Sequence, residues 1–439
     1  MKLPYLFVFL LLGPSLHATA QSIPAQAFEN VTLHHADGSV VSGATIVWRG
    51  SKIEAVGKDI AIPFDARARD GGDSLHVYPG FIDGLALWGS PDRPTSQARP
   101  SHTGRPTYER AGIQPDRSPH LELIDDNMEF REARLAGFKT AAVGLKGFML
   151  PGQVDLFNIR GIDTPDHVLR RQTAQLAQFG PARGVYPSTL MGMMARLRQL
   201  WHDAEALKEH QSLYASNETA YSFPGHDPVL EALFPVMDNS IPLYFAVDTK
   251  EDIERVLKLK DELGFDLVLV SGKEAYKMSN ELASRDIPVL ASIDMPEKPS
   301  WMKEEDNSEN GEEIKDDEEI SAEEQRFRER RQEAYENRAT NIRSLMDADV
   351  TVGYASHDMA LEDFRENLTV LMEYGLADDQ IMAMLTQNTA AILGIEADHG
   401  DVQVGQRANF SVYSTPVGEE EEWMLKFSVS AGDLLRNDN

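Results

Sequence analysis

Apolar and polar positions along this chain fall into two textures. From Phe28 to about Val77, short apolar or β-branched runs (Val31–Leu33, Thr45–Trp48, Ile53–Val56) are separated by Ala36-Asp37-Gly38 and Arg49-Gly50-Ser51, which predicts short strands joined by turns. The same texture returns at the far end. There Ala408–Tyr413 and Trp423–Val429 read as strands after the turn formers Gly400-Asp401 and Gly405-Gln406. Strand-rich ends around a different middle predict that residues 21–78 and 399–439 fold together as one small β domain.

Residues 79–398 alternate strand-like apolar runs with helical patterns, the signature of repeated βα units. Thr140–Gly144 follows a helical pattern ending in Leu135-Ala136-Gly137, where Gly137 supplies the stop. Leu243–Val247 reads as a buried strand, and Thr249 with Asp252 offers a capping-box-like start to a helix with Ile253, Val256, Leu257 and Leu263 near one face. Asp266–Val270, Val289–Ala291 and Val350–Tyr354 read as further strands. At least six such units favour a closed barrel over an open sheet. The expected fold class is α/β: a closed barrel beside the small β domain.

Two segments depart from this plan. Residues 303–338 are charge-dense, acidic from Glu304 to Glu324 and mixed from Gln325 to Arg338. Single-sign runs are ordinarily solvated and EF-hand spacing is absent, so the segment reads as a solvated insertion leading into a charged helix. At the N-terminus, Lys2, the apolar run Leu3–Leu12, Gly13-Pro14 and Ala18-Thr19-Ala20 have the layout of a secretory leader over residues 1–20. The apolar run is too short to span a bilayer. A periplasmic or secreted protein with no membrane span after cleavage is expected.

Composition narrows the partners. The 439 residues carry 42 basic and 71 acidic side chains, a formal charge of -29, and no cysteine. Such a balance repels phosphate backbones and anionic lipid, which argues against a nucleic-acid partner. Without cysteine there are no disulfides, thiolate metal sites, cysteine nucleophile or lipidated mature N-terminus.

Several landmarks occur in a telling order: Arg49–Ile53 leading to Gly57, the Pro79–Asp83 turn, Ala136–Thr140, Leu150–Gln153 with Ile159-Arg160-Gly161, Thr386–Ala390, Gly400–Val402 and Val404–Asn409. Together they resemble the amidohydrolase superfamily, in particular its exported imidazolonepropionase-like and dipeptidase-like branch. The resemblance runs from about residue 28 to 413. It implies a TIM-like (β/α)8 barrel with a small composite β-sandwich domain formed from both chain ends, and at the barrel's strand C-termini a catalytic cation, which lowers the pKa of a water and polarises an amide carbonyl, with a carboxylate moving protons. It further implies a histidine pair after the first barrel strand, histidines after the fifth and sixth, and an aspartate after the eighth. In the places of the pair stand Leu85 and Leu87, with Ala246 and Ser271 at later ligand positions. Leucine has no lone pair to give a metal. After Tyr354-Ala355, the run Ser356-His357-Asp358 keeps a candidate, either His357 or Asp358 matching the aspartate.

Other histidines do not rebuild a centre. His202 and His210 are eight apart, about 12 Å along a helix and too far for one ion. His34 and His35 are adjacent in a strand and face opposite ways. His76, His102, His120, His167, His226 and His399 stand singly. Ser271 precedes Gly272, yet no nucleophile-elbow G-x-S-x-G or phosphate-binding loop is present.

Asp83, Asp248 and Asp358 fall at predicted strand ends. They suit a carboxylate cluster for acid–base work or calcium, and equally helix caps and turn braces. Two readings follow. In the first, an exported protein of this superfamily has lost the standard metal site, carries no metal or other cofactor, and serves as a non-catalytic or regulatory partner to a paralogous, metal-competent amidohydrolase subunit. A small molecule at the barrel mouth is compatible with that role. In the second, the chain is an active hydrolase of non-peptide or peptide-like C–N bonds, in a cyclic amide or dipeptide-like substrate, through an unconventional site at Asp83, Asp248, His357 and Asp358. A divalent metal such as zinc belongs only to this second reading.

Overall fold

Two eight-stranded sheets organise the chain in this computed structural model. It describes residues 23–72, 74–92, 102–124, 128–159, 168–302, 321–418 and 423–437. The leader-like residues 1–20 and the acidic stretch 303–320 lie outside the described residues, as does His167. Among the described residues no helix is long and apolar enough to cross a membrane.

The first sheet joins both ends of the chain. Its N-terminal strands are β1 (Gln26–His34), β2 (Val40–Arg49), β3 (Lys52–Gly57), β4 (Arg67–Asp70) and β5 (His76–Pro79). Its C-terminal strands are β14 (Phe410–Tyr413), β15 (Leu425–Ser430) and β16 (Asp433–Arg436). The order β16-β15-β14-β5-β1-β2-β3, with β4 on β1, makes one hydrogen-bonded sheet whose seam is the antiparallel pairing of β5 with β14. Phe28, Trp48 and Phe410 pack at its core, with Trp48 5.7 Å from Phe28 and 5.2 Å from Phe410 between ring centres. Trp48 Nε1 donates to Gly432 O at 3.0 Å. Only glycine fits there: a Cβ on Gly432 would fall 1.6 Å from Gly50 O.

The second sheet is a nearly closed barrel. It runs β6 (Phe81–Ala86), β7 (Phe138–Val143), β8 (Gly152–Asn158), β9 (Val168–Gln178), β10 (Leu243–Val247), β11 (Leu267–Ser271), β12 (Val289–Ala291) and β13 (Val352–Tyr354), in that spatial order. Closure comes just beyond β13, where His357 N donates to Leu85 O at 2.8 Å. One strand departs from a strict (β/α)8 pattern: β8 pairs antiparallel with both β7 and β9. The link 144–151 is too short for the crossover that a parallel neighbour requires.

Around the barrel lie α1 (Met128–Ala136), α2 (Leu190–Ser216), α3 (Lys250–Leu263), α4 (Ser279–Ser284), α5 (Ala322–Ala339), α6 (Asn341–Met346), α7 (Phe364–Glu373), α8 (Asp378–Leu385) and α9 (Gln387–Ile392). The Thr249 side chain accepts Asp252 N at 3.3 Å and starts α3, and Ile253, Val256 and Leu257 are buried beneath it. Inward-facing residues from successive strands, among them Ile82, Ala142, Leu156, Leu176, Tyr244 and Leu290, form a single apolar cluster. The barrel interior is therefore a filled core, as this architecture requires.

Candidate functional site at the barrel rim

Leu85 and Leu87 belong to that interior cluster, and both are buried. A Cβ placed on Gly144 would sit 3.2, 3.3 and 3.4 Å from methyl carbons of Leu176, Leu85 and Leu87, so the three leucines converge on one point just past β7. Ala246 packs against the same cluster. Ser271 is buried and its hydroxyl is engaged by Asp248. Two alkyl chains, a methyl and an occupied hydroxyl do not fit a catalytic cation. Among the described residues no three histidine, aspartate or glutamate side chains come together as ligands.

The four candidate polar residues separate into two places. Asp83 is fully buried, and its carboxylate accepts Leu85 N at 3.0 Å and Ser356 N at 3.1 Å. It thereby braces the seam between β6 and the segment after β13. Loss of water around it pushes its pKa up to about 7, against the pull of the donors from Ser356 and Leu85. His357 lies on the same seam, in a left-handed backbone conformation with φ 46°, and its Nδ1 is 3.6 Å from Asp358 Oδ2. Asp248 stands on the far side of the sheet order, after β10, and accepts the Ser271 hydroxyl at 2.5 Å.

Ser271 ends β11 with φ 72°, and the following amide, Gly272 N, meets Val270 O at 3.1 Å and Val247 O at 2.8 Å. A tight three-residue turn at a non-glycine residue is strained, and such strain persists only when its surroundings hold it. The hold here is Asn341 in α6. Its Nδ2 donates to Gly272 O at 3.1 Å while its Oδ1 accepts Tyr276 N at 2.9 Å.

Beyond the ends of β11 and β12 opens a cleft of about 530 Å³ lined by Lys273, Glu274, Lys277, Asp294, Arg330, Glu333 and Arg338 among others. Lys273 pairs with Asp294 at 2.5 Å and Lys277 with Glu274 at 2.7 Å. Arg338, only 8% exposed, donates to Ser292 O at 2.8 Å and to Asp294 O at 2.6 and 3.0 Å. Burial lowers its pKa to about 10, while Asp248 and Asp294 act in the opposite direction. Such a cleft offers charge of both signs at the end of the barrel where this fold places its chemistry.

Sequence reading passed over Arg338. His120, which stands singly in the sequence, meets Ser118 and Asp155, which sequence reading did not single out: its Nδ1 is 2.8 Å from Ser118 Oγ and 2.7 Å from Asp155 Oδ2. Both partners address the same ring nitrogen, whereas a serine–histidine–aspartate relay uses opposite nitrogens. The trio, with Gln172 N on Asp155 Oδ1 at 2.7 Å, fastens the turn Pro119–Glu122 to β8 and β9. Elsewhere His34 meets His76 at 3.0 Å, and His35 meets Asp401 at 3.1 Å, all in the β domain or its junction.

No family model and no curated protein matches the chain. Solved structures do. An amidohydrolase from Thermotoga maritima is 20% identical, with a TM-score of 0.74 over 94% of this chain and 100% of its own. Phenylurea hydrolase B is 15% identical, with a TM-score of 0.52 over 94% and 96%. A prolidase complexed with N-methylphosphonate-L-proline is 12% identical, with a TM-score of 0.50 over 94% and 100%. At these identities the likeness is one of architecture, so this chain has the fold seen in amidohydrolase-superfamily proteins: a barrel with an attached β domain.

Proposed function

We propose that this protein is a hydrolase of carbon–nitrogen bonds in a small amide, cyclic or dipeptide-like, that works at the rim of the barrel rather than at a histidine-bound metal on its axis. The observation that carries this reading is the charged cleft beyond β11 and β12. The names of the similar structures, an amidohydrolase, a phenylurea hydrolase and a prolidase, agree in bond type. Hydrolysis adds water across the C–N bond, leaving a carboxyl group and an amine. Asp248, aligned by Ser271, is the carboxylate assigned to proton movement. The donor set at the axis, with Leu85 and Leu87 in the places of the paired histidines, does not fit a cation.

The deciding measurement is amine release from a panel of dipeptides, cyclic amides and phenylureas, with the unaltered protein and Asp248→Asn. Turnover that survives a chelator and falls roughly 100-fold in the variant is expected. Turnover equal in both, or abolished by the chelator, defeats the assignment.

A second reading, a non-catalytic partner of a metal-competent paralogue, is favoured by the packing of Leu85, Leu87 and Leu176. It predicts no turnover on any substrate and recovery from the native source in complex with such a relative. In both readings the chain is exported, and N-terminal sequencing of the mature protein is expected to start at Gln21.

A further inference from the structure

We infer that the cleft beyond β11 and β12 binds the carboxylate of a small zwitterionic molecule of about dipeptide size, with Arg338 as its buried anchor. The inference deepens the hydrolase reading and rests on it for the role of the cleft, though not for the binding itself.

Arg338 carries a charge it cannot shed at neutral pH, in a place with little water. A guanidinium so buried calls for an anion. Among the described residues none is in direct contact: Nε and Nη2 are spent on the backbone carbonyls of Ser292 and Asp294, and Nη1 has no hydrogen-bond partner. The two carboxylates acting on it through space are already engaged, Asp248 by Ser271 and Asp294 by Lys273. An incoming carboxylate would supply what the protein does not.

The walls select the rest of the molecule. α5 brings Arg330, Ala334, Asn337 and Arg338 to the cleft along one helical face, and Glu333 lies beside them. Glu333 forms no ion pair among the described residues, which leaves it for an ammonium or amide N–H. The chain's charge of -29 repels bare anions at long range, so a molecule carrying both signs approaches at lower cost. The volume, about 530 Å³, suits a small ligand.

The test is isothermal titration of the full mature chain with glycylglycine, glycylglycinamide and inorganic phosphate. Glycylglycine is expected to bind, and glycylglycinamide, which lacks the carboxylate, to bind at least roughly tenfold more weakly. Arg338→Met is expected to weaken glycylglycine by a similar factor while Arg330→Met changes it less. Equal affinity for the dipeptide and its amide, no binding of either, or phosphate binding as tightly as glycylglycine would overturn the inference. Should Arg338→Met fail to fold, the comparison of ligands on the unaltered chain still decides. Carboxylate-dependent binding without amine release defeats the hydrolase reading and leaves this one standing; amine release indifferent to Arg338→Met does the reverse.

Discussion

Asp83 shows at the scale of one residue how a fully buried carboxylate is held. Its oxygens take backbone N–H groups from both sides of the barrel seam, and burial raises its pKa to about 7. In the unfolded chain the same group ionises near ~4. Between those values the folded protein holds the extra proton, so this contribution to stability is full below ~4 and is lost as pH rises through about 7. Asp83→Asn keeps an acceptor for Leu85 and Ser356 but cannot ionise. Urea unfolding at pH 5 and pH 8 is expected to show a smaller fall in stability for Asp83→Asn than for the unaltered protein. An identical fall in both would show that Asp83 does not titrate in this window. Lys139 is the opposite case, buried and lowered to about 7. Its burial costs stability in full below about 7, and that cost shrinks as pH rises from there toward the unfolded value of ~10, which is why the comparison must be between variant and parent.

At the scale of elements, β6 and the residues just after it carry Leu85 and Leu87 into the barrel core, and their cost of removal reports how well that core is filled. Leu85→Ala is expected to destabilise by about 3 kcal/mol, within the range for buried leucines, as measured by chemical unfolding; a change below about 1 kcal/mol would mean a loosely packed interior. Much of this layer was legible in the sequence. Leu243–Val247 and Val289–Ala291 are strands over the same residues as expected, and Thr249 caps α3. β8 and β9 were not. The run Val168-Leu-Arg-Arg-Gln-Thr has no alternation of apolar and polar residues, because the start of β9 is partly exposed, and β8 begins inside a phrase that reads as a loop. Arg338 was hidden for another reason. It ends a run of charged residues, and only its spacing with Tyr335, Ala339 and Ile342, all buried, marks it as the one arginine on an inward stripe.

At the scale of the molecule, barrel and β domain share a core rather than a hinge. Tyr78, Tyr413, Trp423 and Leu425, from the strands of the β domain and its loop, fall in the same buried cluster as Phe81 and Phe138 of the barrel. Polar contacts cross the same junction: Tyr413 OH donates to Ala136 O at 3.4 Å, and Ser430 Oγ to Ile159 O at 2.9 Å. Two units joined this way should not melt separately, because opening one exposes the apolar surface of the other. Tryptophan fluorescence, which reports Trp48 in the β domain as well as Trp88 and Trp201 in the barrel layer, is therefore expected to follow the same unfolding curve as far-UV circular dichroism. Tyr413→Ala should shift both curves together by about 3 kcal/mol, the cost of deleting a large buried ring. Two separate transitions, with only the first moved by Tyr413→Ala, would instead make the β domain an independent unit carried by the barrel.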